Sequence, residues 1–103
     1  MKDNHRSIQA WVAERTHFSF LFPDGSTIGR SFESHYSVER VEQTVDQLVV
    51  YLSDNMVFEI DGAFEVLEEG YRYEMSGFTR LRFFIGGVIQ REYTLGTFCL
   101  AGF

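Results

Sequence analysis

The chain is poor in cysteine, which cross-links folds, and in proline, which interrupts regular secondary structure. Among its 103 residues there is one cysteine, Cys99, and one proline, Pro23. A single cysteine excludes an internal disulfide, and the apolar neighbours of Cys99 predict a buried thiol. No apolar run is long enough to cross a bilayer, and residues 1–7 lack the apolar run of a signal peptide. We therefore expect a cytoplasmic protein with no membrane partner, compatible with a bacterial source, in which residues 1–7 are flexible.

The short motifs of common enzyme chemistry are also missing. The chain contains no P-loop, GxGxxG, HExxH or GxSxG sequence, and its three histidines are scattered without the spacing of zinc ligands. We therefore predict a protein that is not an enzyme and that needs no metal or cofactor.

Basic residues are scarce in the middle of the chain. The formal net charge is −6, and between Glu33 and Glu74 eleven acids stand against Arg40 and Arg72. Such an acidic span would repel the phosphates of duplex nucleic acid, which argues against that partner. It is compatible with a basic protein partner or with a solvated surface.

Aromatic residues, in contrast, are abundant. They make up 17% of the chain, with 11 phenylalanines and 5 tyrosines, and hydrophobic residues make up 45%. This length predicts one domain, residues 1–103, with a small core. The aromatic content favours β-strands, and nine glycines indicate many tight turns.

Three segments have the pattern of β-hairpins. Residues 48–60 form two apolar runs around Ser53, Asp54 and Asn55, which predicts a hairpin near the middle of a sheet. Residues 18–22 alternate strictly before a Pro-Asp-Gly-Ser turn, and Gly86-Gly87 predicts a two-residue turn of the primed type. The predicted core side chains are Phe18, Phe20, Leu48, Val50, Phe58, Leu81, Phe83 and Ile85.

Two segments are ambiguous. Residues 8–15 fit a short helix with Ile8, Trp11 and Val12 on one face, or a strand, which we favour slightly. Apolar residues within 38–52 fit one amphipathic helix, but the content of Val, Thr and Tyr favours two strands with a turn at Asp46 and Gln47. We therefore predict a mainly β fold, an antiparallel meander forming a small barrel or a two-layer sandwich. The alternative is an α+β fold with one helix at about 38–52 packed on an antiparallel sheet.

A polar cluster near the first hairpin is the candidate ligand site. Asp24, Arg30 and His35 could bind an anion or a small polar ligand, although ordinary surface pairing is the simpler explanation of these residues. The spacing of Pro-Asp-Gly, Gly-Arg, Phe32 and His35 resembles a PDG-xxx-GR-xF-xx-H segment in small uncharacterised bacterial β-rich proteins. The resemblance covers residues 21–60. This chain lacks the tryptophan and the asparagine of that group's segment. The resemblance implies strands but no activity.

The candidate interface is one face of the predicted strand 78–85. Phe78, Arg80, Arg82 and Phe84 alternate with inward residues, and arginine beside aromatics is enriched at protein interfaces. The sequence thus favours a small acidic, non-enzymatic binding domain that self-associates as a homodimer. One alternative is an inhibitor or immunity-type protein that masks a basic site on a toxin or nuclease. A ligand-binding or catalytic barrel is a weaker alternative.

Overall fold

The computed structural model describes residues 8–28 and 36–102. Within these ranges the chain forms one short helix, ten strands and a 3-10 turn at Ser53–Asn55. The helix is α1 (Ile8–Ala13), and the strands are β1 (Phe18–Leu21), β2 (Thr27–Ile28), β3 (Val38–Gln43), β4 (Gln47–Leu52), β5 (Met56–Asp61), β6 (Glu65–Glu69), β7 (Arg72–Ser76), β8 (Arg80–Ile85), β9 (Val88–Tyr93) and β10 (Thr97–Gly102).

These strands form two antiparallel sheets of five strands each. Sheet A has the order β2-β1-β10-β7-β6, and sheet B has the order β3-β4-β5-β8-β9. An isolated antiparallel bridge pairs Phe18 of β1 with Tyr36, which precedes β3 in the chain. The prediction of a mainly β, antiparallel fold is confirmed in its two-layer form, since the described strands make a sandwich and no closed barrel.

The predicted hairpins are present, but the chain crosses repeatedly between the layers. β4 and β5 pair across the Ser53–Asn55 turn, and β5 is the central strand of sheet B with β4 beside it, as predicted for residues 48–60. Gly86 and Gly87 both have positive φ, at 58° and 83°, as the primed turn between β8 and β9 requires. β1 and β2 lie in sheet A, β3 to β5 in sheet B, β6 and β7 in sheet A, and β8 and β9 in sheet B, and β10 then returns to sheet A as its central strand, between β1 and β7.

Phenylalanines from both sheets interlock in the core. The ring centroid of Phe58 in sheet B lies 4.7 Å from that of Phe98 and 4.9 Å from that of Phe20, both in sheet A. Phe22 lies 5.5 Å from Phe83 and closes the same cluster. Tilted aromatic contacts at these distances stabilise a core beyond simple area burial, so the phenylalanine content serves first to hold the layers together.

The slight preference for a strand at residues 8–15 was wrong. Residues 8–13 form α1, and its spacing puts Ile8 and Trp11 in the core while Ala10 is exposed. A strand would have turned Ala10 inward together with Ile8. Trp11 packs against Tyr73 at 5.3 Å, and Arg15 donates to the carbonyl of Gly70, so tertiary contacts stabilise a helix too short to be stable alone.

The preference for two strands within 38–52 is confirmed. β3 and β4 pair in antiparallel register, and the helical alternative is not formed. The turn covers residues 44–46 rather than the predicted Asp46 and Gln47, because Gln47 already belongs to β4 and Thr44 donates its amide to the Gln47 carbonyl. Val45 occupies that turn and is 93% exposed, so the apparent helical spacing included a residue that packs nowhere.

Two assignments on the strand 78–85 need correction. Phe78 precedes β8 and is 4% exposed within the core, rather than lying on the outer face beside Arg80. Ile85, predicted as core, is 43% exposed because it lies at the tip of the β8–β9 hairpin. The other predicted core residues are buried, and so is Cys99 at 6% exposure.

Candidate interaction surface

The Pro-Asp-Gly turn places Asp24 between the two sheets. One carboxylate oxygen of Asp24, Oδ1, accepts hydrogen bonds from the Ser26 amide at 3.0 Å and the Ser26 hydroxyl at 2.6 Å. The other, Oδ2, accepts from the hydroxyl of Tyr93 in β9 at 3.0 Å. The bonds from Ser26, followed by those from Tyr93 and the charge of Arg91, lower the pKa of Asp24 to about 2.

Arg91 completes this junction between the layers. Its guanidinium donates to the Ser26 hydroxyl and lies 4.7 Å from the ring centroid of Phe22. The carboxylate of Asp24 therefore already has partners within the chain, which explains its ionised state without any ligand. Arg30 and His35, the other predicted ligand residues, lie outside the described residues, so the predicted ligand site stays a prediction.

The outer face of sheet B has an apolar row at one end. The strand register aligns Tyr51 with Val57, Val57 with Phe84, and Phe84 with Ile89, across four neighbouring strands. Ile89 is 47% exposed, and the other three side chains are half-buried. We call these four residues the apolar row. At its β3 end, the guanidinium of Arg40 lies 4.0 Å from the ring centroid of Tyr51.

The next rows of the same face are charged. Arg82 contacts Glu59 and Asp61, each at 3.0 Å, and Arg80 contacts Asp61 at 3.4 Å and Glu92 at 3.3 Å. The predicted interface arginines thus lie on the outer face, but acids of the same chain neutralise them. Pairs of opposite charge across neighbouring strands are common on the outer face of a sheet, and they need no partner protein.

The predicted interface is therefore brought together only in part. Arg80, Arg82 and Phe84 share the outer face of β8, whereas Phe78 is buried. Sequence reasoning missed Tyr51, Val57 and Ile89. Each is an ordinary strand residue, and only the register of four strands brings them to one line, so no local pattern could have identified the row.

The tip of the β8–β9 hairpin has exposed aliphatic side chains on both faces. Ile85, Val88 and Ile89 are 43%, 63% and 47% exposed, and they flank Gly86-Gly87. Ile89 belongs to the apolar row on the outer face, whereas Ile85 and Val88 pair with each other and project to the opposite face. We call these three residues the tip.

A cleft of about 460 Å³ lies between the tip and the Ser53–Asn55 turn. Its lining includes Glu39, Tyr51, Asn55, Val57, Gly86 and Gly87. Glu39 is the extra residue of a β-bulge, because the β3–β4 register shifts between Val38 and Arg40. Arg40, which follows the bulge, lies over the ring of Tyr51. The hydrogen bond with Tyr51 and the charges of Glu42 and Glu39 raise the pKa of Arg40.

Comparisons with known proteins give no relative for this chain. No family model, curated protein or solved structure matches it. The resemblance of residues 21–60 to bacterial β-rich proteins therefore stays a prediction. Within residues 8–28 and 36–102, no group of three or more His, Cys, Asp or Glu residues could hold a metal ion. No helix in the same ranges has the length and apolar character needed to cross a membrane.

Proposed function

We propose that this protein is a small, non-enzymatic interaction domain that self-associates through the outer face of sheet B. The observation that supports this proposal is the apolar row on that face. On a small domain, an exposed apolar patch beside charged rows is typical of a surface that contacts another protein. The phenylalanine content alone would not support it, because most of the rings lie in the core.

Charge supports a second copy as the partner on this face. The outer face of sheet B has three arginines, in positions 40, 80 and 82, against four acids, in positions 42, 59, 61 and 92. This near balance contrasts with the net charge of −6 for the whole chain. A twofold contact places a patch against itself, so it needs a patch that does not repel its own copy.

A basic partner is the second candidate, and β6 favours it. This edge strand has the sequence Glu-Val-Leu-Glu-Glu, in which Glu65 and Glu69 are exposed together with Leu67. An exposed acidic edge can steer a basic surface toward it, as an inhibitor of a toxin or nuclease would require. In this second proposal the contact lies on sheet A, so the two candidates use different surfaces.

Sedimentation equilibrium tests the first proposal. We expect the unmodified protein to form a dimer with a Kd below about 100 µM, the range in which weak self-association is still measurable. Replacing both Phe84 and Ile89 by Ser should give a monomer with an unchanged circular dichroism spectrum. Both side chains lie on the outer face and contribute little to the core.

The matched control removes two exposed leucines from the other sheet. Leu21 and Leu67 are 42% and 52% exposed on the outer face of sheet A. Their double replacement by Ser should leave the dimer intact. A monomer at all concentrations would refute self-association, and loss of the dimer in the control variant alone would place the contact on sheet A.

A further inference from the structure

The edge strand β3 has outward backbone groups at Val41. β3 lies at one end of sheet B, and among the described strands only β4 pairs with it. The amide of Thr44 donates to the carbonyl of Gln47 at 2.8 Å, and in an antiparallel pair such bonded positions alternate with unbonded ones. The position where Val41 lies opposite Val50 is therefore unbonded. The N–H and C=O of Val41 point away from β4, toward the edge of the sheet.

One side chain of α1 closes this edge. Nε2 of Gln9 donates to the carbonyl of Val41 at 3.0 Å, so it takes the place that the N–H of a neighbouring strand would occupy. Gln9 is exposed, whereas Trp11 of the same helix is fully buried and anchors α1 in the core. When the glutamine side chain rotates away, water replaces the one hydrogen bond that is lost, at small net cost. The edge can therefore open while the helix stays folded.

The order of charges in β3 is complementary to itself. Arg40 and Glu42 flank Val41, and both project to the outer face of sheet B because Val41 itself projects inward opposite Val50. When Val41 lies opposite Val41 of a second, antiparallel copy, Arg40 lies opposite Glu42 of that copy, and Glu42 lies opposite its Arg40. Opposite charges that face each other across two strands stabilise their pairing, whereas like charges destabilise it.

The same charges select a single register for two β3 strands. Moving the second strand by two residues in one direction places Glu42 opposite Glu42, and moving it the other way places Arg40 opposite Arg40. A move by one residue places outward backbone groups opposite inward ones. In the favoured register Arg40 keeps Glu42 of its own chain, at 3.0 Å, and gains a second acid. No internal ion pair has to break for the strands to pair.

From these observations we propose that β3 is a second self-association site, at which β3 of another copy adds antiparallel about a twofold axis at Val41 once Gln9 releases the Val41 carbonyl. The occupant is a second copy because the charge order around Val41 matches its own reverse. Pairing joins the two five-stranded B sheets into one continuous sheet, with both outer faces on the same side. The site is an edge of the sheet, so it does not rest on the contact proposed for the outer face.

Opening the edge tests this inference by sedimentation equilibrium. The variants are made in the Phe84→Ser, Ile89→Ser background, which removes the contact proposed for the outer face. We expect Gln9→Ala to self-associate at a concentration at least about tenfold lower than the background does, because neither copy then has to break the Gln9 bond. The amide of Val41 should become protected from hydrogen exchange as the protein concentration rises. The control is Gln90→Ala, since Nε2 of Gln90 donates to the carbonyl of Val88 in the other edge strand of sheet B, at 3.1 Å. It should change nothing.

Charge reversal then tests the register in the Gln9→Ala form of the same background. Arg40→Glu and Glu42→Arg should each weaken self-association about fivefold, because like charges then oppose each other across the axis. An equimolar mixture of the two should restore it, since the acids of one copy face the arginines of the other.

Arg80→Glu and Glu92→Arg make the same changes of net charge toward the opposite edge of sheet B, and their mixture should associate no better than either variant alone. Three results would each overturn the inference: a Gln9→Ala variant that stays monomeric up to about 1 mM, an equal effect of Gln90→Ala, or a mixture of the β3 variants that gains nothing. Because the background lacks the outer-face contact, none of these results decides the proposed function.

Discussion

At the residue scale, Asp24 joins the first hairpin of sheet A to the edge of sheet B. Its pKa is lowered to about 2, first by the hydrogen bond from the Ser26 hydroxyl, whereas the ordinary pKa of an aspartate is about 3.8. A depressed pKa in the folded state means that the carboxylate stabilises the fold above the unfolded pKa. That stabilisation is lost as pH falls through about 2, when the folded state also becomes protonated.

We therefore predict that Asp24→Asn lowers the Tm at neutral pH and that the difference from the unmodified protein shrinks as pH falls from about 4 toward 2. Thermal melts followed by circular dichroism measure both proteins across this range. Asp46→Asn is the control, because the carboxylate of Asp46 is exposed and accepts no hydrogen bond from the described residues. A Tm difference that is constant with pH would show that the lost contacts of Asp24 do not depend on its charge.

Single residues also show where prediction from the sequence succeeded and where it failed. Alternation correctly predicted that Phe18, Phe20 and Phe22 share one face, because a strand's period of two is a local property, and all three are buried. The same rule failed at Phe78. Its alternation with Arg80 holds only inside a strand, and β8 begins at Arg80. A residue that precedes a strand does not follow its alternation, so the side chain of Phe78 can point into the core.

At the element scale, the least predictable piece is the shortest one. The six residues of α1 fit a helix or a strand by pattern, and the contacts of Trp11 with Phe18 and Tyr73 decide between them. β3 and β4 were predictable because β-branched residues disfavour a helix there. The candidate surface was not predictable, because Tyr51, Val57 and Ile89 become neighbours only through the pairing of strands from separate hairpins.

Two turns allow backbone strain to be separated from steric conflict. Gly25 has a φ of 90° with open space around its missing Cβ, whereas Gly96 has a φ of 110° and its Cβ would lie 2.6 Å from the Cβ of Pro23. Gly25→Ala should therefore cost about 1 kcal/mol of unfolding free energy through backbone strain alone. Gly96→Ala should cost about 2 kcal/mol or more, because Pro23 must also move.

Urea denaturation measures both losses in this pair of variants. Each variant makes the same one-carbon change in a turn, so each serves as the control for the other. Equal losses of unfolding free energy would contradict the argument, since they would show that Pro23 yields without cost. A neutral Gly25→Ala would mean that the Pro-Asp-Gly turn relaxes to a negative φ.

At the scale of the whole molecule, the net charge opposes self-association and the apolar surface favours it. The formal charge of −6 makes two copies repel each other at long range. The arginines of the outer face of sheet B are already paired within the chain, so they are not free to attract the acidic span of a second copy. The contact that remains is apolar, and salt does not weaken it.

We therefore predict that the self-association Kd stays constant or decreases as sodium chloride is raised from about 0.05 to 0.5 M, because screening weakens the repulsion between like charges. Sedimentation equilibrium at several salt concentrations measures this directly. A dimer that dissociates with salt would indicate ion pairs between copies, and it would require the arginines of β8 to exchange their internal partners for those of a second chain.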